Sequence, residues 1–147
     1  MLKTGVWIDK KKAKIIRIKN GKFNRKTISS GADPKPRIKG EKSKKTVRAL
    51  IGFDFESNQK RKYEEDLKKY FKEVTDFISD AEEIYICGPS DAKHLLEKET
   101  KNISGLFQRI KKVEPAGSLT DNQIVAKVKK FFDPVGFKKK RKLPKRN

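Results

Sequence analysis

Three aspartates stand where chemistry could gather. Asp9 ends the run Gly5-Val6-Trp7-Ile8-Asp9, Asp91 follows the apolar run Ile84-Tyr85-Ile86-Cys87 by a short turn, and Asp121 opens the last amphipathic segment. If folding made them converge, their oxygens could hold Mg²⁺ for phosphodiester hydrolysis in a two-metal manner. Each also has a plain structural use. Asp91 and Asp121 fall in first-turn positions that helix electrostatics favour for a carboxylate, and Asp9 can close a strand before a lysine turn. A second constellation is the turn Gly88-Pro89-Ser90 with Lys93 one turn on. Free amides where a strand meets a helix amino terminus can hold an anion, so Gly88, Ser90 and Lys93 form a candidate anion site. A Gly-Pro turn with a serine cap is equally good punctuation. His94, the one histidine, lacks nucleophile or ligand partners and is expected to face water. Cys87, the one cysteine, lies in an apolar run and reads as a small buried hydrophobe. No resident metal or cofactor is implied, and Mg²⁺ enters only with the nuclease alternative.

The basic residues are more numerous and more clustered. Lysine and arginine total 39 against 19 acids among 147 residues, a formal charge of +20. Such a field repels itself on folding and is best tolerated beside a polyanion, where neutralised phosphates release counterions. Three clusters carry it. Lys10, Lys11, Lys12 and Lys14 sit at a strand turn; Lys35, Arg37, Lys39, Lys42, Lys44, Lys45 and Arg48 load a Pro- and Gly-punctuated stretch; Lys138, Lys139, Lys140, Arg141, Lys142, Lys145 and Arg146 fill the tail. The competing use is a solvated surface that keeps the chain dispersed by charge. Phe23, Phe53 and Phe55 lie near basic stretches and are the aromatics suited to stacking on bases. Tyr63, Tyr70, Phe71 and Phe77 recur at helical spacing, which is a core signature.

The elements that must position these groups are legible in outline. Gly5–Asp9, Ala13–Ile18 and Lys22–Ile28 read as three strands joined by Lys10-Lys11-Lys12 and by Asn20-Gly21, a strong hairpin signal. From Ser29 to about Asn58 the pattern breaks into a long basic loop, with Val47–Phe55 apolar enough to pack back or add a short strand. Tyr63 to Ile78 follows helical spacing, Glu83–Cys87 reads as a buried strand, and Ser90 is expected to cap a helix to about Thr100 with Ala92, Leu95 and Leu96 inward. A strand over Arg109–Val113 and a turn at Pro115-Ala116-Gly117 precede Thr120-Asp121-Asn122-Gln123, a capping box that starts the last helix. Asp133-Pro134 and Gly136 stop it. The order β-β-β-α-β-α-β-α predicts one α/β domain over residues 1–134 and a basic flexible tail over 135–147. Three meander strands followed by two right-handed crossovers give a mixed five-stranded sheet of order 3-2-1-4-5, the ribonuclease H-like arrangement, with helices packed against it.

Four segments in this order carry a resemblance: Gly5-Val6-Trp7-Ile8-Asp9; Ala13-Lys14-Ile15-Ile16; Tyr85-Ile86-Cys87-Gly88-Pro89-Ser90-Asp91-Ala92-Lys93; and Leu119-Thr120-Asp121-Asn122-Gln123-Ile124-Val125. The body from Lys3 to Phe132 resembles small bacterial proteins related to the middle domain of archaeal and eukaryotic peptide release factors and of the ribosome-rescue factor Pelota. The resemblance implies a ribonuclease H-like fold and association with ribosomes or structured RNA. It does not extend to peptide release, because the Gly-Gly-Gln tripeptide that release factors use is absent from the sequence.

The reading that joins these observations is a noncatalytic RNA-binding protein whose partner is the ribosome or ribosomal RNA, acting in rescue, hibernation or translational quality control. Its rivals are a Mg²⁺-dependent nuclease using Asp9, Asp91 and Asp121, and a DNA-associated basic protein, which charge alone does not separate from an RNA binder. With one cysteine, no secretory signal pattern and no apolar stretch of membrane-spanning length, the expected location is the cytoplasm and no membrane partner is expected.

Overall fold

Two tight turns build the first half of the sheet. Asp9 folds its carboxylate back so that Oδ1 accepts from the Lys11 and Lys12 amides, both at 2.8 Å, and its own amide donates to the Lys12 carbonyl at 3.0 Å. The second turn puts Asn20 and Gly21 at φ of 54° and 77°, the left-handed pair that matches the twist of a two-residue hairpin. In this computed structural model, which describes residues 1–33 and 53–134, the turns join β1 (Lys3–Ile8), β2 (Lys12–Lys19) and β3 (Lys22–Ser29) as an antiparallel meander. After α1 (Phe53–Ile78), β4 (Glu83–Gly88) pairs parallel to β1, and after α2 (Ala92–Thr100) and a single 3-10 turn (Phe107–Arg109), β5 (Ile110–Pro115) pairs parallel to β4. The sheet order is β3-β2-β1-β4-β5, the expected 3-2-1-4-5, and α3 (Asp121–Phe132) closes the described chain.

Side-chain alternation splits the core into two layers. One face of the sheet puts Val6, Ile8, Ile15, Ile84 and Ile86 against Tyr70, Phe71, Val74 and Ile78 of α1 and Ala92 and Leu96 of α2. The other puts Trp7, Ile16, Tyr85 and Cys87 against Ile124, Val125 and Val128 of α3. Because β4 is covered on both faces, it reads as a continuous apolar run, as a central parallel strand should. Gly5 lets α3 sit close: a Cβ there would lie 2.3 Å from Val128 Cγ2. Trp7 belongs to this layer, and its Nε1 donates to the Gly117 carbonyl at 3.0 Å.

Three local expectations are corrected. First, the helix read from Tyr63 begins at Phe53, inside the stretch assigned to the loop. Phe53–Ile78 contains neither Gly nor Pro, so nothing interrupts the helix, while its first turns lack the apolar stripe by which helices are recognised. Second, Ser90 does not cap α2. Asp91 occupies the cap position without a side-chain bond, and the Ser90 carbonyl instead accepts from the Lys93 ammonium. Third, Leu95 is 37% exposed, because the inward stripe of this short helix runs through Ala92, Leu96 and Thr100. At Thr120 the capping box forms as read: Gln123 N donates to Thr120 Oγ1 at 3.2 Å and Thr120 N to Gln123 Oε1 at 2.9 Å.

Candidate nucleic-acid interface

The β1–β2 turn is the firmest part of the basic surface. Lys11 and Lys12 are exposed on a loop pinned by Asp9, and Tyr70 Oη donates to the Asp9 carbonyl at 2.8 Å from below. Burial first, and the Asp9 charge second, push the Tyr70 phenol well above its ordinary range, so it remains a donor at any ordinary pH. Lys10 reaches Asp91 at 3.5 Å. The turn backbone is held by four hydrogen bonds, so the points from which these lysines extend are fixed before any phosphate binds.

The three aspartates are used separately. Asp9 accepts backbone amides, Asp91 faces Lys10, and Asp121 is hydrogen-bonded to Lys14. Among the described residues, no three His, Cys, Asp or Glu side chains come together as a group that could hold a metal ion. Asp9, Asp91 and Asp121 therefore do not form the cluster that two-metal hydrolysis needs.

At the candidate anion turn, Gly88 is a close-approach glycine: a Cβ would lie 2.1 Å from the Ile8 carbonyl oxygen. Lys93 is 8% exposed with its ammonium on the Ser90 carbonyl, and Ser90 itself is exposed. The three residues are neighbours, with the lysine turned back onto the turn's own backbone. His94 is exposed, as expected, with Nδ1 3.7 Å from Glu97.

On the α3 side a polar network lies at the edge of the core. Tyr85, fully buried and stacked on Phe131 with ring centroids 4.3 Å apart, donates to Glu114. Lys112 and Lys127 approach the same carboxylate at 3.2 and 3.5 Å. The Tyr85 bond, more than the lysines, holds the Glu114 carboxyl below the usual carboxylate range. Burial pushes the neighbouring Cys87 thiol up to about 11, against a smaller opposite pull from Lys127.

Sequence reasoning missed the continuation of the basic surface across β3. Every β3 residue except Ile28 is exposed. Register alternation puts Phe23, Arg25 and Thr27 on the α3 face, opposite Ile18, Ile16 and Lys14 of β2. Lys129 of α3 lies over the Phe23 ring, 4.1 Å from its centroid. The available signal was the strand Lys22-Phe23-Asn24-Arg25-Lys26-Thr27-Ile28-Ser29 itself, which is polar on both faces, as an edge strand kept from self-association is. The further candidates Lys35, Arg37, Lys39, Lys42, Lys44, Lys45, Arg48, Lys138, Lys139, Lys140, Arg141, Lys142, Lys145 and Arg146 lie outside the described residues, and Phe53 and Phe55 are described as helical backbone.

No family model matches the chain, and no curated protein matches it. Among solved structures, a crystal structure of the archaeal translation termination factor aRF1 aligns over 88% of this chain with a TM-score of 0.58 and 11% identity. The likeness is one of fold. A crystal structure of the Thermoplasma acidophilum Pelota protein aligns over 88% of the chain with a TM-score of 0.47 and 17% identity. The chain spans about a third of each of those proteins, 33% and 32% of their lengths. Among the described residues no helix is long and apolar enough to cross a membrane.

Proposed function

We propose that this protein is a noncatalytic RNA-binding protein of the translation apparatus, docking on the ribosome or ribosomal RNA in rescue, hibernation or quality control, in the cytoplasm. The observation that carries the reading is the placement of charge on a rigid element. Residues 1–33 bear ten lysines and arginines against Asp9 and Asp33, and the meander they form exposes Lys11 and Lys12 at one turn and nearly all of β3 at the sheet edge. Phosphate contacts of this kind give affinity with little sequence discrimination, so selection among RNAs falls to shape. The fold shared with an archaeal translation termination factor supports translation as the setting. The resemblance to the small bacterial proteins related to release-factor middle domains and Pelota belongs to this reading too. The separate use of Asp9, Asp91 and Asp121 weighs against the nuclease alternative.

The test is sedimentation of the tagged full chain through a gradient of ribosomal subunits. Co-migration at low salt, lost at high salt and weakened by removal of residues 138–147, is the expected result. Free migration at low salt contradicts the proposal. Competition by DNA as effective as by structured RNA would assign the charge to a DNA partner instead.

A further inference from the structure

Between α3 and β3 the sheet is left partly uncovered, and the residues there have complementary chemistry. A cavity of about 160 Å³ opens at the start of α3, lined among others by Lys14, Ile16, Arg25, Thr27, Asp121 and Ile124. Its walls carry three cations from adjacent strands, Lys14 of β2 and Arg25 and Lys26 of β3, and its one acid is bonded to Lys14. Asp121 is itself exposed and answers to several positive groups: the Lys14 ammonium, then Arg25 and Lys12, hold its carboxyl below the ordinary range. On the same face of β3, two residues before Arg25, Phe23 is 38% exposed, and the group over its ring is the ammonium of Lys129, two turns beyond Asp121 on α3. A cation resting on an exposed aromatic face occupies the position a nucleobase would take in stacking.

We propose that the α3–β3 groove is a binding site for single-stranded RNA, with one phosphate held by Lys14 and Arg25, a base stacked on Phe23, and the Asp121 carboxylate as the internal competitor that the phosphate displaces. The inference deepens the RNA-binding reading and rests on it. Charge selects the occupant: an incoming phosphate replaces a carboxylate already seated among the same cations, while an uncharged or acidic-poor partner would leave the Lys14–Asp121 pair intact. Phe23 is on the same face of β3 as Arg25, two residues away, so about 7 Å separates the two contacts along the strand. A flexible strand can meet both at once, whereas a duplex keeps its bases stacked on each other and would use the phosphate contact alone.

The experiment is equilibrium binding of the full chain to a short fluorescent single-stranded RNA across a salt series, with folding of each variant checked by circular dichroism. Lys14→Gln with Arg25→Gln should weaken binding about tenfold or more and reduce the slope of log affinity against log salt by about 0.7, the value for one neutralised single-strand phosphate. Phe23→Ala should weaken binding about fivefold or more with the slope unchanged, as loss of stacking without loss of charge requires. Asp121→Asn should tighten binding severalfold. Arg25 and Phe23 are exposed on an edge strand, so their single substitutions keep the test available if the double variant is destabilised. Wild-type affinity and slope in the folded Lys14/Arg25 variant, or weaker binding by folded Asp121→Asn, would overturn this site and leave RNA binding elsewhere standing. No binding by the wild-type chain in dilute buffer would overturn both readings.

Discussion

Cys87 shows how burial decides what a reactive group can do. The thiol is fully buried, and its pKa is pushed up to about 11, so at neutral pH the nucleophilic thiolate is absent. The native protein should not react with a thiol reagent at pH 8, and reaction should appear only on unfolding; rapid modification in native buffer would contradict this. The sign of the linked stability follows. The folded thiol holds its proton above the ordinary value of 9.0, so the stabilisation is intact below pH 9 and is lost as pH climbs through about 11. Glu114 behaves in the opposite sense. Its carboxyl is held low chiefly by the Tyr85 hydroxyl, so this contribution is present above the ordinary 4.5 and is lost as pH falls through the lowered value. Glu114→Ala leaves that buried hydroxyl without its acceptor and should cost about 1–3 kcal/mol in urea unfolding. Among the candidate residues, the sequence identified individual roles better than meetings. That Cys87 is core and His94 faces water followed from neighbours in the chain. That Asp121 would meet Lys14 across 107 residues depended on register and helix placement, which no local pattern encodes.

At the scale of elements, the meander, both crossovers and the strand order were legible because short-range rules agree with one another here. An Asn-Gly turn fixes the second hairpin, a doubly buried strand declares itself by continuous apolarity, and parallel crossovers have one hand. The start of α1 was not legible, since the polar run from Glu56 to Lys62 carries no periodic signal and separates Phe53 and Phe55 from the apolar stripe that begins at Tyr63, and the first residue of α2 was misplaced because a serine after Gly-Pro satisfies the statistics of a cap without making its bond. Close packing offers a test at this scale. Gly5→Ala would place a methyl into the Val128 side chain and push α3 from the sheet, an overpacking cost of about 1–3 kcal/mol. Val128→Ala in the same chain should recover part of the loss. The double variant unfolding no later in urea than Gly5→Ala alone would show that the contact does not set the helix position.

For the whole molecule, the balance of 39 basic against 19 acidic residues dominates. Self-repulsion of this size destabilises the folded chain in dilute salt, so added salt should raise its unfolding midpoint even as it weakens the proposed complex. The two responses have opposite signs, and together they separate a charge kept for dispersal from a charge kept for binding. A dispersing surface would show the first response without the second. Composition announced the excess of positive charge; the fold adds that part of it is built into a pinned turn and a sheet edge, which composition has no means to report. The most direct measurement is the affinity of the full chain for a structured ribosomal RNA fragment as a function of salt, with DNA of equal length as competitor. The account predicts tight binding in dilute buffer, a steep linear fall of log affinity with log salt, and poor competition by DNA. Absence of binding in dilute buffer, or an affinity insensitive to salt, would contradict it.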